Sequence, residues 1–245
     1  MALIPRRYLT AARMQVPAVT ADGMREIDRI AIEETGPNLF QMMENAGRNL
    51  ALQAIDVLGP TWREGHVVVL AGAGGNGGGG ICAARHLANR GADVTLVLAA
   101  RLPADSVPAF QRHVYSGAGG REIDVNALRD ERPELLIDAL IGYGPSAPPH
   151  GITAELIAWA NGSGAPILSL DVPSGVDAST GDPPGIAIQP RWTMTLALPK
   201  TGLRPDNCGQ LVLADIGIPA GTFRRAGLAY VSPFDDRFRI PLTTA

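Results

Sequence analysis

From His66 to Arg90 the chain reads H-V-V-V-L-A-G-A-G-G-N-G-G-G-G-I-C-A-A-R-H-L-A-N-R, and this stretch decides the fold. Val67 to Leu70 is an uninterrupted β-branched and aliphatic run, as expected of a parallel strand buried on both faces. Between Gly72 and Gly80 only Ala73 and Asn76 carry side chains, so backbone amides can lie directly against a ligand. Beyond this loop Ile81, Ala84, Leu87 and Ala88 recur at helical spacing, and Gly91 ends the run. A strand, a bare loop and a helix N-terminus make an anion site, because unpaired N–H groups and the positive end of the helix dipole face one point. The expected ligand is a phosphate or pyrophosphate.

Gly72, Gly74 and Gly77 satisfy the dinucleotide pattern G-x-G-x-x-G, a weak signal in so glycine-rich a loop. A dehydrogenase of that type places an acid at the end of its second strand to hold the ribose hydroxyls. Here that strand, Val94 to Leu98, runs into Ala99, Ala100 and Arg101, the last a candidate for a 2′-phosphate. No Gly-Lys-Ser/Thr occurs, which removes a Walker A site. A loop serving only close helix packing would need no polar residue, and Asn76 is the one polar side chain in it.

The remaining composition narrows the field. With 245 residues, 46% of them apolar, the chain has ample core for one domain. A net charge of −3 without basic runs argues against nucleic acid as a partner, and no apolar stretch approaches the length of a membrane span. Cys82 and Cys208 are too few for a disulfide framework or a zinc site, so a reducing cytoplasm is the expected setting. Residues 1–18, with Arg6, Arg7 and Arg13, are expected to form an N-terminal extension to a single domain over 19–245. Of the 21 basic residues only Lys200 is lysine. A position that keeps an ammonium among arginines suits a compact donor able to titrate.

Thr20 is the expected N-cap of a helix from Ala21 to Glu34, followed by a second from about Leu39 to Leu58 that carries Glu44 and Asn45. After the central unit come a strand Val94–Leu98, a helix over about Ser106–Ser116, a strand Leu135–Ala139, a helix Ile152–Asn161 and a strand Ile167–Leu170. Strands Thr193–Leu198 and Leu211–Ala214 are expected to close the series. This alternation predicts an α/β fold, a doubly wound and mostly parallel sheet with helices on both faces, which binds ligands beyond the carboxyl ends of its strands. Asn76, Asp138, Asp171 with Ser174, and Lys200 each follow such a strand end. A strand-terminal Asp is often only a loop cap, but four such positions on one sheet edge point to chemistry.

The ordered motifs V-T-A-x-x-M-R-E-I-D-R-x-A-I-E-E from Val19, M-E-N-A-G-R from Met43, G-x-G-x-N-G-G-x-G from Gly72, I-D-A-L-I-G-x-G from Ile137, D-V-P-S-G-V-D from Asp171 and L-A-L-P-K-T-G-L from Leu196 closely resemble the NAD(P)H-hydrate epimerase family, the YjeF N-terminal domain. The resemblance spans about Val19 to Gly217. It implies a three-layer α/β/α sandwich of Rossmann type, usually a homodimer, that interconverts the R and S epimers of hydrated NADH and NADPH. It also implies a potassium ion held by Asn76, Asp138 and Ser174, and substrate contacts from Gly75, Asn76, Gly77, Gly78 and Gly79. Further substrate contacts fall on Gly142, Tyr143, Gly144, Pro145, Ser146, Ala147 and Pro148, and on Asp171. The dehydratase half of bifunctional relatives is absent, so a separate dehydratase is a possible partner in the same pathway. Epimerising C6 of the reduced ring needs loss and return of water or reversible ring opening, and either wants a group that gives and takes a proton. Asp171 is the candidate acid/base, with Lys200 tuning it or sharing the transfer.

The family loop commonly reads G-N-N-G-G-D-G, whereas here the first asparagine and the aspartate are Gly75 and Gly79. That predicts a floppier loop whose ordering costs about 1 kcal/mol per freed residue. Tyr143 and Ala147 stand where a smaller residue and an arginine are commoner. Two function classes therefore stay open: a working epimerase, and a nucleotide-binding or scaffolding module that has kept the pocket. A dehydrogenase comes third for want of the ribose-binding acid.

Overall fold

The computed structural model describes residues 8–144 and 147–244. The predicted strand at Val67–Leu70 is β3 (His66–Ala71), an inner strand of a sheet of ten among the described residues. Beside it lie β4 (Asp93–Leu98) and β5 (Arg121–Ile123) on one side, and β6 (Leu135–Ala139), β7 (Ile167–Leu170), β8 (Trp192–Leu196) and β9 (Gln210–Ala214) on the other. All seven are parallel. The order β5-β4-β3-β6-β7-β8-β9 is doubly wound, so the chain leaves β3 in both directions and opens a crevice between β3 and β6.

Alternate residues of β3 enter different cores, which is why its sequence is apolar at every position. Val67, Val69 and Ala71 pack with Leu50 and Ala54 of α2 (Leu39–Leu58), Ile81 and Leu87 of α3 (Gly75–Ala88), and Tyr115 of α4 (Val107–Gly117). Val68 and Leu70 pack on the other face with Leu156, Ile157 and Ala160 of α5 (Gly151–Gly162). Farther along the sheet a third core joins Leu211 and Leu213 to Met24 and Ile27 of α1 (Ala21–Ile30) and Phe223 of α7 (Ala220–Arg225), a short helix that follows α6 (Pro205–Cys208). The result is a three-layer α/β/α arrangement. Burial of the apolar face of α1 within this core also removes that face as a surface for a second copy.

The helices expected at Thr20 and Leu39 form where capping predicts. Thr20 accepts a hydrogen bond from Gly23 N at 3.2 Å, and Asn38 and Gln41 make a capping box. α1 ends sooner than the pattern suggests, at Ile30, and passes into a π-helical turn Ala31–Thr35. The series of strands does not close at Ala214: β10 (Arg239–Thr244) adds antiparallel to β9, then β1 (Tyr8–Leu9) and β2 (Gln15–Val16) follow. Pro241 disguises β10 in the sequence, yet β1 pairs with β10 only at Thr243 and Thr244, so at Pro241 the strand is locally an edge, where proline is tolerated. Residues 8–16, read as part of an extension, thus belong to the sheet. The hydroxyl of buried Tyr8 lies 2.8 Å from the carbonyls of both Lys200 and Leu203, and Val19 N bonds to Pro199 O at 3.0 Å. This segment straps down the loop that presents Lys200.

Candidate active site

The crevice between β3 and β6 opens into a cleft of about 890 Å³ at the carboxyl ends of the strands. One wall is the N-terminus of α3. The helix starts at Gly75, six residues before the point at which apolar periodicity begins, so the glycines expected to form a bare loop are its first turns. Periodicity misses this because glycine has no side chain to repeat. Close packing explains the composition: a Cβ on Gly77 would lie 1.8 Å from Gly72 O, and one on Gly80 2.4 Å from Ala139 Cβ. Instead of a floppy loop the chain builds a short-waisted helix end, whose first amides have no partner one turn back and point into the crevice. Asn76 in that turn donates from Nδ2 to Leu170 O at 3.0 Å, which ties α3 to the end of β7.

The floor is made by Asp171 and Lys200. β7 and β8 end in the same kind of three-residue turn: Val172 N returns to Leu170 O at 2.9 Å around Asp171 (φ 66°), and Leu198 N returns to Leu196 O at 2.6 Å around Ala197 (φ 61°). Left-handed backbone at a residue with a Cβ is uncommon, and such strain tends to persist where the surroundings fix a functional geometry. Here the paired turns bring Lys200 Nζ onto Asp171 Oδ1 while Nζ also donates to Leu196 O at 2.9 Å. Leu196 N donates to the same carboxylate oxygen at 3.1 Å and Thr195 Oγ1 at 3.4 Å, so among the described residues the bonds of the carboxylate fall on Oδ1, and Oδ2 is left for the cleft. Lys200 is 1% exposed and Asp171 3%, burial tolerable only because the charges are paired.

Behind the floor lies Asp138, fully buried. It accepts from Ser169 Oγ at 2.8 Å, Ser174 N at 2.9 Å, Ser174 Oγ at 2.5 Å and Leu140 N at 3.3 Å. These donors are neutral, and among the described residues no basic side chain pairs with it. Burial pushes its carboxyl above the usual range, and the hydrogen bonds from Ser174, Ser169 and Leu140 act the other way. A hard monovalent cation would relieve that burial, and the carboxylate of Asp138, the hydroxyl of Ser174 and the amide oxygen of Asn76 are the donors such an ion takes.

The opposite wall comes from α1 and the segment after β6. Asp28 Oδ2 accepts from the Tyr143 hydroxyl, and the Tyr143 ring stands with its centroid 5.6 Å from Lys200 Nζ. Met24 and Arg25 line the same wall, with Arg25 Nη2 reaching Gly144 O at 3.4 Å. Met24, Arg25 and Asp28 stand inside the motif that starts at Val19, and Asp28 lies one turn beyond buried Met24, which aims it inward.

Of the residues singled out from sequence, Gly75, Asn76, Gly79, Gly142, Tyr143, Gly144, Ala147, Pro148, Asp171 and Lys200 line the cleft. Gly77 and Gly78 do not; a Cβ there would point at Gly72 and at Met43 respectively. Asp138 and Ser174 sit beneath the floor, and Pro145 and Ser146 lie outside the described residues. Arg101 does not line the cleft. Glu44 turns away from it as well. It pairs with Arg85 at 2.5 Å and with His86 Nε2 at 2.8 Å beside Cys82, whose thiol burial pushes up to about 12. Glu44, Cys82 and His86 hold donors within 4.8 Å of one another, but Arg85 Nη2 already sits among them as the cation, 3.2 Å from Cys82 Sγ and 3.3 Å from His86 Nε2. This cluster joins α2 to α3.

Comparison with known proteins bears on the same residues. The model of the family described as YjeF-related protein N-terminus matches residues 39–202, which holds α3, Asp138, Asp171 and Lys200. The chain is 48% identical over 240 residues to an NAD(P)H-hydrate epimerase of Dehalogenimonas lykanthroporepellens, covering 98% of each chain. It is 33% identical to an NAD(P)H-hydrate epimerase of Rhodopirellula baltica, covering 86% of this chain and 89% of the other. A bifunctional NAD(P)H-hydrate repair enzyme of Salinibacter ruber is 37% identical, and there the match takes up 86% of this chain but only 42% of the relative. A yeast protein of solved structure shares the fold, with a TM-score of 0.78 over 92% of this chain at 23% identity.

Proposed function

The chain belongs to the YjeF-related N-terminal family, and from that premise we propose that it is an isomerase, an NAD(P)H-hydrate epimerase that interconverts the R and S epimers of hydrated NADH and NADPH. The observation that carries this reading is the buried Asp171–Lys200 pair on the floor of a cleft whose far wall is a helix N-terminus. A dinucleotide pyrophosphate suits the amides of α3, which leaves the nicotinamide end over the floor.

Epimerisation at C6 then uses the free oxygen of Asp171. Asp171 relays a proton from the Lys200 ammonium on Oδ1 to the departing hydroxyl at Oδ2, takes one from the returning water and hands it back to Lys200, which also fixes the carboxylate. Tyr143 and Leu196 line the cleft beside that floor. Asn76, Asp138 and Ser174 would hold a potassium ion, whose fixed positive charge would offset the phosphates of the substrate. Substitution of Gly79 for an aspartate is compatible with this reading, because Leu170 fills the space beside it and the wall stays closed. The same reading includes a homodimer in the cytoplasm and a dehydratase acting in the same pathway.

The test is conversion of R-NADPH hydrate to the S form, followed by chromatography, with and without potassium. Acceleration above the spontaneous rate in potassium alone is the expected result. Dinucleotide binding without any acceleration would instead favour a binding module.

A further inference from the structure

The cleft is lined by the carboxylates of Asp28, Glu33 and Asp171 and by the cations of Arg25, Arg29 and Lys200. Lys200 is committed to Asp171, and Asp28 has no ion-pair partner among the described residues. The basic residues nearest to it on its own helix are engaged elsewhere: Arg25 with Asp22, and Arg29 with Glu26 and Glu33. From the other elements Tyr143, Lys200, Asp171 and His150 face the same space. Burial pushes the Asp28 carboxyl above its usual range, the Tyr143 hydrogen bond and the Lys200 charge act downward, and Asp171 adds an upward push. A cation placed beside it would be favoured by all that burial disfavours.

We propose that Asp28, set in place by the Tyr143 hydroxyl, stabilises positive charge on the ligand's nicotinamide ring, so that the cleft selects a planar cationic N-heteroaromatic ring over its neutral reduced form. The inference rests on the epimerase reading for its mechanistic use. When the C6–O bond breaks, both electrons leave on oxygen, a proton that the Lys200 ammonium yields through the Asp171 carboxylate completes a water molecule, and the N1 lone pair closes an N1=C6 bond. The ring now bears one positive charge. Water returns to either face, the N1 lone pair is restored, and the proton goes back through the carboxylate to Lys200. Tyr143 offers that transient ring an aromatic face and Asp28 a counter-charge. Asp28 is thus a positioning residue that acts through charge and through Tyr143.

NAD⁺ and NADH share their pyrophosphate and adenosine and differ in ring charge, so they separate this effect from phosphate binding. Titration of each into the wild-type protein is expected to show NAD⁺ preferred by about tenfold, as one compensated charge and one ring face would give. D28N should abolish most of that preference and leave NADH affinity within about twofold, and Y143F, which keeps the ring, should fall between. The wild-type preference should also fade as pH drops and Asp28 takes up a proton. An unchanged NAD⁺/NADH ratio in D28N, with a melting temperature near wild type, overturns the proposal; if D28N is unfolded, an unchanged ratio in Y143L does so. Epimerisation by the wild-type protein is measured separately, and its failure would overturn the reaction reading while the ratio still judges Asp28.

Discussion

The two walls of the cleft are built on opposite principles. The α3 wall exists because atoms are missing: Gly77 and Gly80 let the helix start directly behind β3 and against β6, with backbone where side chains would ordinarily stand. On the floor and opposite wall, single atoms of Asp171, Lys200, Tyr143 and Asp28 are each held by a specific partner. The first wall should fail when a carbon is added, and the second when a charge is taken away. On the proposed reading the first takes the anion of the ligand, and the second tells one ring chemistry from another.

The largest effect is therefore expected from one methyl group. Gly77→Ala puts a Cβ 1.8 Å from the Gly72 carbonyl, and neither partner can yield because both are backbone. Overpacking of this kind costs upward of about 3 kcal/mol. Circular dichroism and thermal melting should show a protein that is unfolded or melts far below wild type; a melting temperature within a few degrees would mean that α3 is not seated as described. Next is Lys200→Met, which leaves Asp171 buried without its cation. Breaking such a pair costs about 3–5 kcal/mol. Adding Asp171→Asn to that variant should restore part of the loss in urea unfolding, while neither variant should epimerise.

Much of this division was legible in the sequence, and the reason is the same in each case. Leu39–Leu58, Leu135–Ala139 and Ile167–Leu170 form as read because their cores repeat at helical or strand spacing. Asn76, Asp138, Asp171, Ser174 and Lys200 come together as expected because a parallel sheet gathers its strand ends. What the sequence hid was structure without a periodic signal. The first turns of α3 have no side chains to repeat, β10 contains Pro241, and Tyr8–Leu9 is too short to show any alternation. Asp28 was hidden for another reason. An acid on an amphipathic helix reads as solvated until the partner wall, here Tyr143, is placed against it.

Within the glycine wall a smaller effect separates backbone from side-chain neighbours. Gly79→Ala places its Cβ 2.8 Å from Leu170 Cδ2, the far end of a flexible side chain. Crowding there costs about 1–2 kcal/mol, and replacing a helical glycine by alanine returns about 1. Stability should thus stay within about 1 kcal/mol of wild type, against collapse at Gly77 two residues away. Equal damage at both positions would mean that the whole helix end, not its contact with Gly72, is the sensitive feature.

The smallest predicted effect asks whether the glycine wall depends on side chains after all. Glu44 holds α3 from outside through Arg85 and His86. Burial pushes its carboxyl up, but the Arg85 hydrogen bond and charge outweigh this, so it stays below the usual carboxylate range. A carboxyl depressed in the folded state stabilises that state above its unfolded pKa, and the contribution disappears as pH falls through the folded value. Because Glu44 is 45% exposed, solvent screens the pair, and Glu44→Gln should cost no more than about 1 kcal/mol at neutral pH. Urea titrations at neutral pH and near pH 3 should show that difference at the first and its loss at the second. A cost of several kcal/mol at neutral pH would break the comparison, because the backbone wall would then stand only while an ion pair on its outer side holds it.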